Sequence, residues 1–203
     1  RGPGATNASI GVHSAMQGSV PMILFIGQIA REMRGREAFQ EVDYRAFFGP
    51  IAKWVVEVDS PDRLPEIIAR AFVVAQSGRP GPVVVALPED MLTDMSNARP
   101  APPVKLAEAA PSVDAIHELR RLLGRAERPL IVLGGGGWSA QGRADLAGFA
   151  EANHIPVATA FRFQDLIDHF SPSYCGDVGL GKTKAMRQAL DEADLIFALN
   201  IRF

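Results

Sequence analysis

The sequence has 203 residues, 47% of them hydrophobic, which is enough to bury one large core or two small ones. Its 21 basic and 23 acidic residues are mixed along the chain and give a net charge of −2, so we expect binding neither to nucleic acid nor to a membrane surface. No apolar run is long enough to cross a bilayer, and the single cysteine, Cys175, suits a reducing cytoplasm.

The first half of the sequence predicts two strands, then a helix, then a third strand. Short apolar runs at residues 20–27, 54–58 and 83–87 are typical of buried strands. Between them, residues 61–78 place apolar side chains at helical spacing, and Ser60 is positioned to cap that helix. This order implies a parallel, doubly wound sheet.

A proline-rich segment, MSNARPAPPVKLAEAAP at residues 95–111, predicts a linker. The alternation resumes after it, with helices predicted at 113–125, 140–153 and 182–192 and strands at 130–133, 156–160 and 195–199. We therefore predict an α/β chain with two doubly wound parallel-sheet units, at residues 1–94 and 112–203. Because the chain opens without Met and closes on an apolar run, we expect it to be a fragment.

Two glycine-rich segments are candidates for nucleotide binding. GDVGLGKT, residues 176–183, fits the phosphate-loop pattern, but the polar, proline-broken DHFSPSYC before it does not predict the required strand. The turn at residues 134–137 follows a strand and fits G-x-G-x-x-A, although no acidic residue ends the next predicted strand, as an NAD site requires. Tight packing of a strand on a helix explains this turn equally well.

Other catalytic patterns are weaker. The four histidines have no metal-ligand spacing, and no G-x-S-x-G segment supports a serine hydrolase. The charged stretch REMRGREAFQEVD, residues 31–43, is typical of a solvated loop or helix, yet a loop of this length between strands is often functional.

Several segments together resemble one family. In the first half they are RGPGATN (1–7), LFIGQIA (24–30), GREAFQEVD (35–43), PIAKW (50–54) and SGRPGPVVVALPED (77–90). In the second half they are RPLIVLGGGG, FAEANHIPVATAF, YCGDVGLG and ADLIFALNIRF. In order and spacing these segments resemble the thiamine diphosphate enzymes of the acetohydroxyacid synthase type, which include related decarboxylases and lyases.

The resemblance implies an incomplete pyrimidine-binding domain at residues 1–94 and a Rossmann-like central domain at residues 112–203. It also implies a homodimer or tetramer whose active site lies between chains. The family's activating glutamate lies upstream of GPGATN, and its GDG…N magnesium motif lies in a third domain. Catalytic residues and metal ligands are thus expected outside this chain, which alone should be inactive.

The resemblance also assigns site residues. Those expected near thiamine diphosphate are Gly2, Pro3, Gly4, Asn7, Gln28 and Gln40. Phe39 and Lys53 match residues of the substrate channel. We expect the charged loop and the strand ends at Gly27 and Lys53 to lie together, where parallel sheets bind ligands.

Flavin binding is an open alternative. In members that hold FAD, the matching positions are Arg79, Gly134, Gly135, Gly136 and Arg202. This sequence departs from those members, with GDVG where many carry a GMHG-like stretch and NIRF where they carry GxRFD.

The function implied is decarboxylation of a 2-oxo acid by thiamine diphosphate with Mg²⁺, with transfer or release of the aldehyde unit, as in acetolactate synthase. Two alternatives stay open. One is a nucleotide-binding α/β module of the P-loop or FAD/NAD type without thiamine chemistry. The other is a non-catalytic relative that keeps the fold for assembly.

Overall fold

Both halves of the chain form parallel sheets, as the alternation of strands and helices predicts. The computed structural model describes residues 1–107 and 109–202, and the chain divides into two units, Arg1–Glu108 and Ala109–Phe203. The predicted linker, residues 95–111, contains no helix or strand wherever the structure describes it. The domain bounds 1–94 and 112–203 stay predictions.

The first unit contains three strands and three α-helices in its described part. In chain order these are helix α1 (Gly2–Gly18), strand β1 (Met22–Gln28), helix α2 (Tyr44–Phe48), strand β2 (Trp54–Glu57), helix α3 (Leu64–Gln76) and strand β3 (Pro82–Pro88). The strand order is β1-β3-β2, with every pair parallel. The three strands predicted here are therefore confirmed.

Helices cover both faces of this sheet. Val83 and Val85 of β3 belong to the core cluster beneath α3, whereas Val84 belongs to the cluster beneath α1 and α2. All three valines are fully buried. This alternation of neighbouring side chains between two cores makes the unit doubly wound, as predicted.

The predicted cap of α3 is wrong. A 3₁₀ turn, Pro61–Arg63, precedes the helix, which begins at Leu64 with Arg63 at its N-cap. The side chain of Ser60 makes no capping hydrogen bond. The turn adds three residues between Ser60 and the helix, so its hydroxyl no longer faces the helix's free N–H groups.

The second unit contains four strands and three α-helices in its described part. In chain order these are helix α4 (Val113–Leu123), strand β4 (Pro129–Leu133), helix α5 (Ala140–Ala152), strands β5 (Val157–Thr159) and β6 (Tyr174–Asp177), helix α6 (Lys184–Glu192) and strand β7 (Leu195–Leu199). The parallel order β6-β5-β4-β7 places β4 beside β7 where the winding reverses. Strand β6 corrects the expectation that DHFSPSYC leads into no strand.

Asp194 fixes the corner before β7. Its carboxylate accepts hydrogen bonds from the backbone N–H groups of Glu127 (2.7 Å) and Arg128 (2.9 Å), which precede β4. These N–H groups, the Glu127 bond foremost, lower the pKa of Asp194. The ionised carboxylate therefore stabilises this corner at neutral pH.

We expect Asp194→Asn to lower the melting temperature of the protein at pH 7, since an amide cannot accept both hydrogen bonds. Because the folded-state pKa is depressed, this stabilisation is present above the carboxyl's usual pKa and is lost as the pH falls through the folded value. The difference from wild type should thus shrink towards about pH 3 in thermal denaturation. Asp191→Asn, on the exposed side of α6, is the control, and an equal loss in both variants would contradict the assignment.

Two whole-chain properties concern function. None of the helices in residues 1–107 and 109–202 is long and apolar enough to cross a membrane. In the same residues, no group of three or more His, Cys, Asp and Glu side chains is placed to hold a metal ion.

Candidate functional site

The carboxyl edge of the first sheet brings together segments that are far apart in sequence. Strand β1 ends there at Gln28, and α1 begins there, because Arg1 forms an ion pair with Glu89 directly after β3. The loop from Ile29 to Asp43 runs over the same edge. Ligands of parallel α/β sheets bind at such edges.

Gly2 and Gln40, both expected near the cofactor, lie against each other. A Cβ atom on Gly2 would lie 3.0 Å from the carbonyl oxygen of Gln40 and 3.4 Å from its Cα. Glycine is therefore what allows the loop to approach the first turn of α1 this closely. The structure thus joins two predicted site residues that are 38 positions apart.

The loop around Gln40 is held in an unfavourable backbone conformation. Gln40 has φ 69° and Glu37 has φ 55°, a region that non-glycine residues seldom adopt. Between them, Phe39 leaves 83% of its surface exposed. Such strain concentrates at ligand sites, and an exposed aromatic ring beside an amide offers both the apolar contact and the hydrogen-bonding group that a heteroaromatic ring requires. Phe39 is thus exposed at this edge of the sheet, next to the strained Gln40.

Gln28 is buried behind this loop and not presented to a ligand. It is 3% exposed, and its Nε2 donates to the carbonyl oxygen of Val42 (3.0 Å) and to Glu57 Oε2 (3.3 Å). Its Oε1 accepts from the N–H of Ile29 (2.9 Å). The amide therefore ties the loop to the ends of β1 and β2, so Gln28 supports the site from within.

The charged stretch is an exposed loop, as predicted, and ion pairs and hydrogen bonds tie it to the sheet. Arg31 donates through Nε to Asp90 (2.6 Å) and through Nη2 to Asp94 (2.5 Å), and its Nη1 donates to the carbonyl oxygen of Asp59 (2.6 Å). The hydrogen bonds to Asp90 and then Asp94 raise the pKa of Arg31 further. This guanidinium thus fastens the start of the loop to the ends of β2 and β3.

A second contact of the loop reaches Glu57 at the end of β2. Arg34 forms ion pairs with Glu57 and Asp59. Beneath them, the buried hydroxyl of Tyr44 donates to the carbonyl oxygen of Gly27 (3.3 Å). Burial, followed by the charge of Glu57, raises the pKa of Tyr44, so the phenol stays protonated and keeps this bond.

The expectation that Lys53 lies beside these groups is wrong. Lys53 precedes β2, and its N–H bonds to the carbonyl of Pro82 at the start of β3, so it lies at the amino edge of the sheet. Its ammonium donates to the carbonyl oxygens of Val74 and Ser77 at the end of α3. Burial, and then the charge of Arg79, lowers the pKa of Lys53. The reason is the direction of the chain. In a parallel sheet, residues that precede a strand lie at one edge and residues that follow a strand lie at the opposite edge.

Arg79, a flavin candidate, also lies at this amino edge. Its Nε donates to Ser19 Oγ (2.9 Å), and its Nη2 donates to the carbonyl oxygen of Met16 at the end of α1. A cation at a helix carboxyl terminus is favourable. These contacts give Arg79 a structural role within its own unit.

The expected GPG loop is in fact the first turn of α1. Gly2, Pro3 and Gly4 are helical, and Pro3 suits an early helix position because it lacks an N–H donor. Its carbonyl oxygen accepts from Thr6 Oγ1 (2.9 Å). A Cβ on Gly4 would meet no atom within 4 Å, and Asn7 is exposed. Both positions are therefore open to solvent.

The glycine turn after β4 is filled by its own chain. A Cβ on Gly134 would lie 3.0 Å from Ile201 Cα, and one on Gly135 would lie 2.5 Å from the carbonyl oxygen of Asn200. Trp138 Nε1 donates to the carbonyl oxygen of Gly134 (3.0 Å). These glycines serve packing against the end of β7, which leaves Gly136 and Arg202 as the exposed flavin candidates. The turn does not fit a dinucleotide approaching Gly134 and Gly135.

The GDVGLGKT segment does not form a phosphate cradle. Asp177 Oδ1 accepts from the N–H of Gly179 (2.8 Å), and the N–H of Val178 donates to the carbonyl oxygen of Thr159 (2.8 Å). Thr183 Oγ1 caps α6 by accepting from the N–H of Met186 (3.1 Å). A carboxylate therefore occupies the loop, and the N–H groups of Val178, Gly179 and Lys182 are already paired, so this conformation does not present the row of free donors that a phosphate needs.

Sequence reasoning missed Glu41. Its Oε1 accepts from the N–H of Gly35 (2.6 Å) and its Oε2 from the N–H of Ala38 (3.0 Å). The one signal in the sequence is an acidic residue directly after Gln40, in a loop that contains glycine. The other charged residues of the stretch made this acid look like part of a solvated surface. Glu41 closes the loop that carries Phe39 and Gln40.

Two models of one protein family match this chain. Residues 1–47 match the N-terminal TPP binding domain of thiamine pyrophosphate enzymes, and residues 116–203 match their central domain. The first match contains Gly2, Gln28 and Gln40.

Individual relatives match along the whole chain. The acetolactate synthase large subunit of Parasynechococcus marenigrum (strain WH8102) is 36% identical over 100% of this chain and 34% of its own length. The acetolactate synthase isozyme 2 large subunit of Escherichia coli (strain K12) is 34% identical over 100% of this chain and 37% of its own length. The chain thus spans about a third of the length of these curated relatives. It belongs to the thiamine pyrophosphate enzymes and carries sequence of both their N-terminal TPP binding domain and their central domain.

Proposed function

We propose that this chain forms one wall of a thiamine diphosphate site in an enzyme of acetolactate synthase type. The observation that carries the proposal is the contact between Gly2 and Gln40, within the segment that matches the TPP binding domain. This contact brings the exposed ring of Phe39, the strained backbone of Gln40 and the first turn of α1 together at one edge of the sheet.

When bound, thiamine diphosphate supplies the nucleophilic carbon that attacks the carbonyl group of a 2-oxo acid. In this proposal Gln40 hydrogen-bonds the cofactor and Phe39 lines the substrate channel. Gly4 and Asn7 lie beside the pocket, while Gln28 holds the loop from behind. These residues bind and orient, and they exclude water from the reacting carbon.

The rest of the site is proposed to come from outside these residues. That includes the glutamate that activates the cofactor and the groups that hold Mg²⁺ and the diphosphate. We infer a homo-oligomer whose active site needs a second chain, and the relatives' name "large subunit" supports assembly with further subunits. We do not include FAD, because Gly134 and Gly135 are packed against Asn200 and Ile201.

The test is to read the coding DNA on both sides of this segment and to express both the full open reading frame and residues 1–203 alone. We expect the full product to bind thiamine diphosphate with Mg²⁺ and to consume pyruvate, and the short chain to show no turnover. Turnover by the short chain would contradict the proposed division of the site. A full product that does not bind the cofactor would leave a non-catalytic, structural role.

A further inference from the structure

Glu41 closes a seven-residue loop with three hydrogen bonds. Its two carboxylate oxygens accept from the N–H groups of Gly35 and Ala38, and its own N–H donates to the carbonyl oxygen of Ala38 (2.9 Å). The Gly35 bond, followed by the Ala38 bond, lowers the pKa of Glu41. The carboxylate is therefore ionised at neutral pH and accepts from the start and from the middle of the loop.

The conformation that Glu41 closes is one that the loop does not favour by itself. Three of its residues, Gly35, Glu37 and Gln40, have φ between 55° and 71°. Only glycine adopts such angles without cost, so Glu37 and Gln40 need contacts that hold them. Besides the Glu41 bonds, the contact of Gln40 with Gly2 provides such a restraint.

We propose that the Glu41 carboxylate is a positioning residue, which holds Phe39 and Gln40 in the conformation that meets thiamine diphosphate. This inference rests on the proposed function. Glu41 itself touches no cofactor in it, since both of its oxygens are used by the loop. A single acceptor oxygen would leave one of the two N–H groups without the partner it has here.

Neighbouring acids do not share this arrangement. Asp43 Oδ1 accepts from the N–H of Ala46 (3.0 Å) and caps α2. Glu32 lies exposed in the 3₁₀ turn Arg31–Met33 at the start of the stretch. Glu32→Gln therefore removes the same charge from the same charged stretch, outside the loop that Glu41 closes, which makes it the matched control.

The experiment compares Glu41→Gln and Glu32→Gln in the product of the full open reading frame. Hydrogen exchange of the free protein reports on the loop, and titration calorimetry with thiamine diphosphate and Mg²⁺ reports on the site. Glutamine keeps the shape of the side chain but offers one acceptor oxygen. We expect Glu41→Gln to speed exchange at residues 35–40 and to weaken cofactor binding by at least about tenfold, with Glu32→Gln like wild type.

Each alternative result would contradict a specific part of the proposal. Unchanged exchange in Glu41→Gln would show that the carboxylate does not hold the loop. Faster exchange with unchanged affinity would show that the loop does not position the cofactor, while the proposed function stands. A wild-type protein that fails to bind thiamine diphosphate would overturn the proposed function and this inference with it.

Discussion

Gly135→Ala should destabilise the second unit more than any other alanine substitution at its glycines with positive φ. Gly135 has φ 66°, which costs an L-residue about 1–2 kcal/mol. Its added methyl group would also lie 2.5 Å from the carbonyl oxygen of Asn200 and 2.9 Å from Asn200 Cβ. Relieving that overlap needs a backbone shift, which typically costs a further ~1–3 kcal/mol. We therefore expect a loss of about 2–5 kcal/mol in the free energy of unfolding.

The matched control is Gly137→Ala. Gly137 has φ 85°, in the same turn, but a Cβ there would meet no atom within 4 Å. Gly137→Ala should lower the free energy of unfolding only by the cost of the left-handed backbone conformation, about 1–2 kcal/mol. Urea unfolding followed by Trp138 fluorescence, in a Trp54→Phe background, measures both variants in the second unit. Equal losses would contradict the conclusion that Gly135 serves packing against β7.

Strands were predictable because their residues carry the signal locally. Val83, Val84 and Val85 form an unbroken β-branched run, as parallel strands buried on both faces require. Strand β6 lacks that run, since Cys175, Gly176 and Asp177 neither branch at Cβ nor lie fully buried. It exists because β5 beside it offers a ladder of hydrogen bonds, which is information outside the segment.

Helix α1 was missed for a related reason. GPGATNASIGVHSAMQG contains several glycines and capping-type residues, which disfavour a helix in isolation. The structure stabilises it through Ala5 and Val12, which are buried against the sheet. Tertiary packing thus overrides the intrinsic propensity. The family resemblance located the segment but described it as a loop.

At the site, the sequence identified positions better than it identified what the side chains do. Gln28 and the loop that carries Gln40 lie at one edge of the sheet, yet the amide of Gln28 is turned inward to Val42 and Glu57. The roles of Arg31 and Glu41 depend on distances across a folded loop, and no spacing rule supplies those. Lys53 is different, because its place before a strand already assigned it to the amino edge.

The contact between α1 and the loop predicts the second large effect. We expect Gly2→Ala to weaken thiamine diphosphate binding by the full-length product by at least about tenfold, as measured by titration calorimetry. The new methyl group would lie 3.0 Å from the carbonyl oxygen of Gln40 and 3.4 Å from its Cβ. Since these atoms belong to the backbone or adjoin it, the backbone of Gln40 must shift by a few tenths of an ångström, and its side chain shifts with it.

Gly11→Ala, in the same helix, separates this effect from helix propensity. Gly11 is exposed, and a Cβ there would meet no atom within 4 Å. Alanine should raise the stability of α1 by about 1 kcal/mol at this position and leave cofactor affinity unchanged. If Gly2→Ala bound the cofactor as wild type does, the contact with Gln40 would belong to folding alone. A loss of affinity confined to Gly2→Ala would instead tie the start of α1 to the cofactor through the loop that it touches.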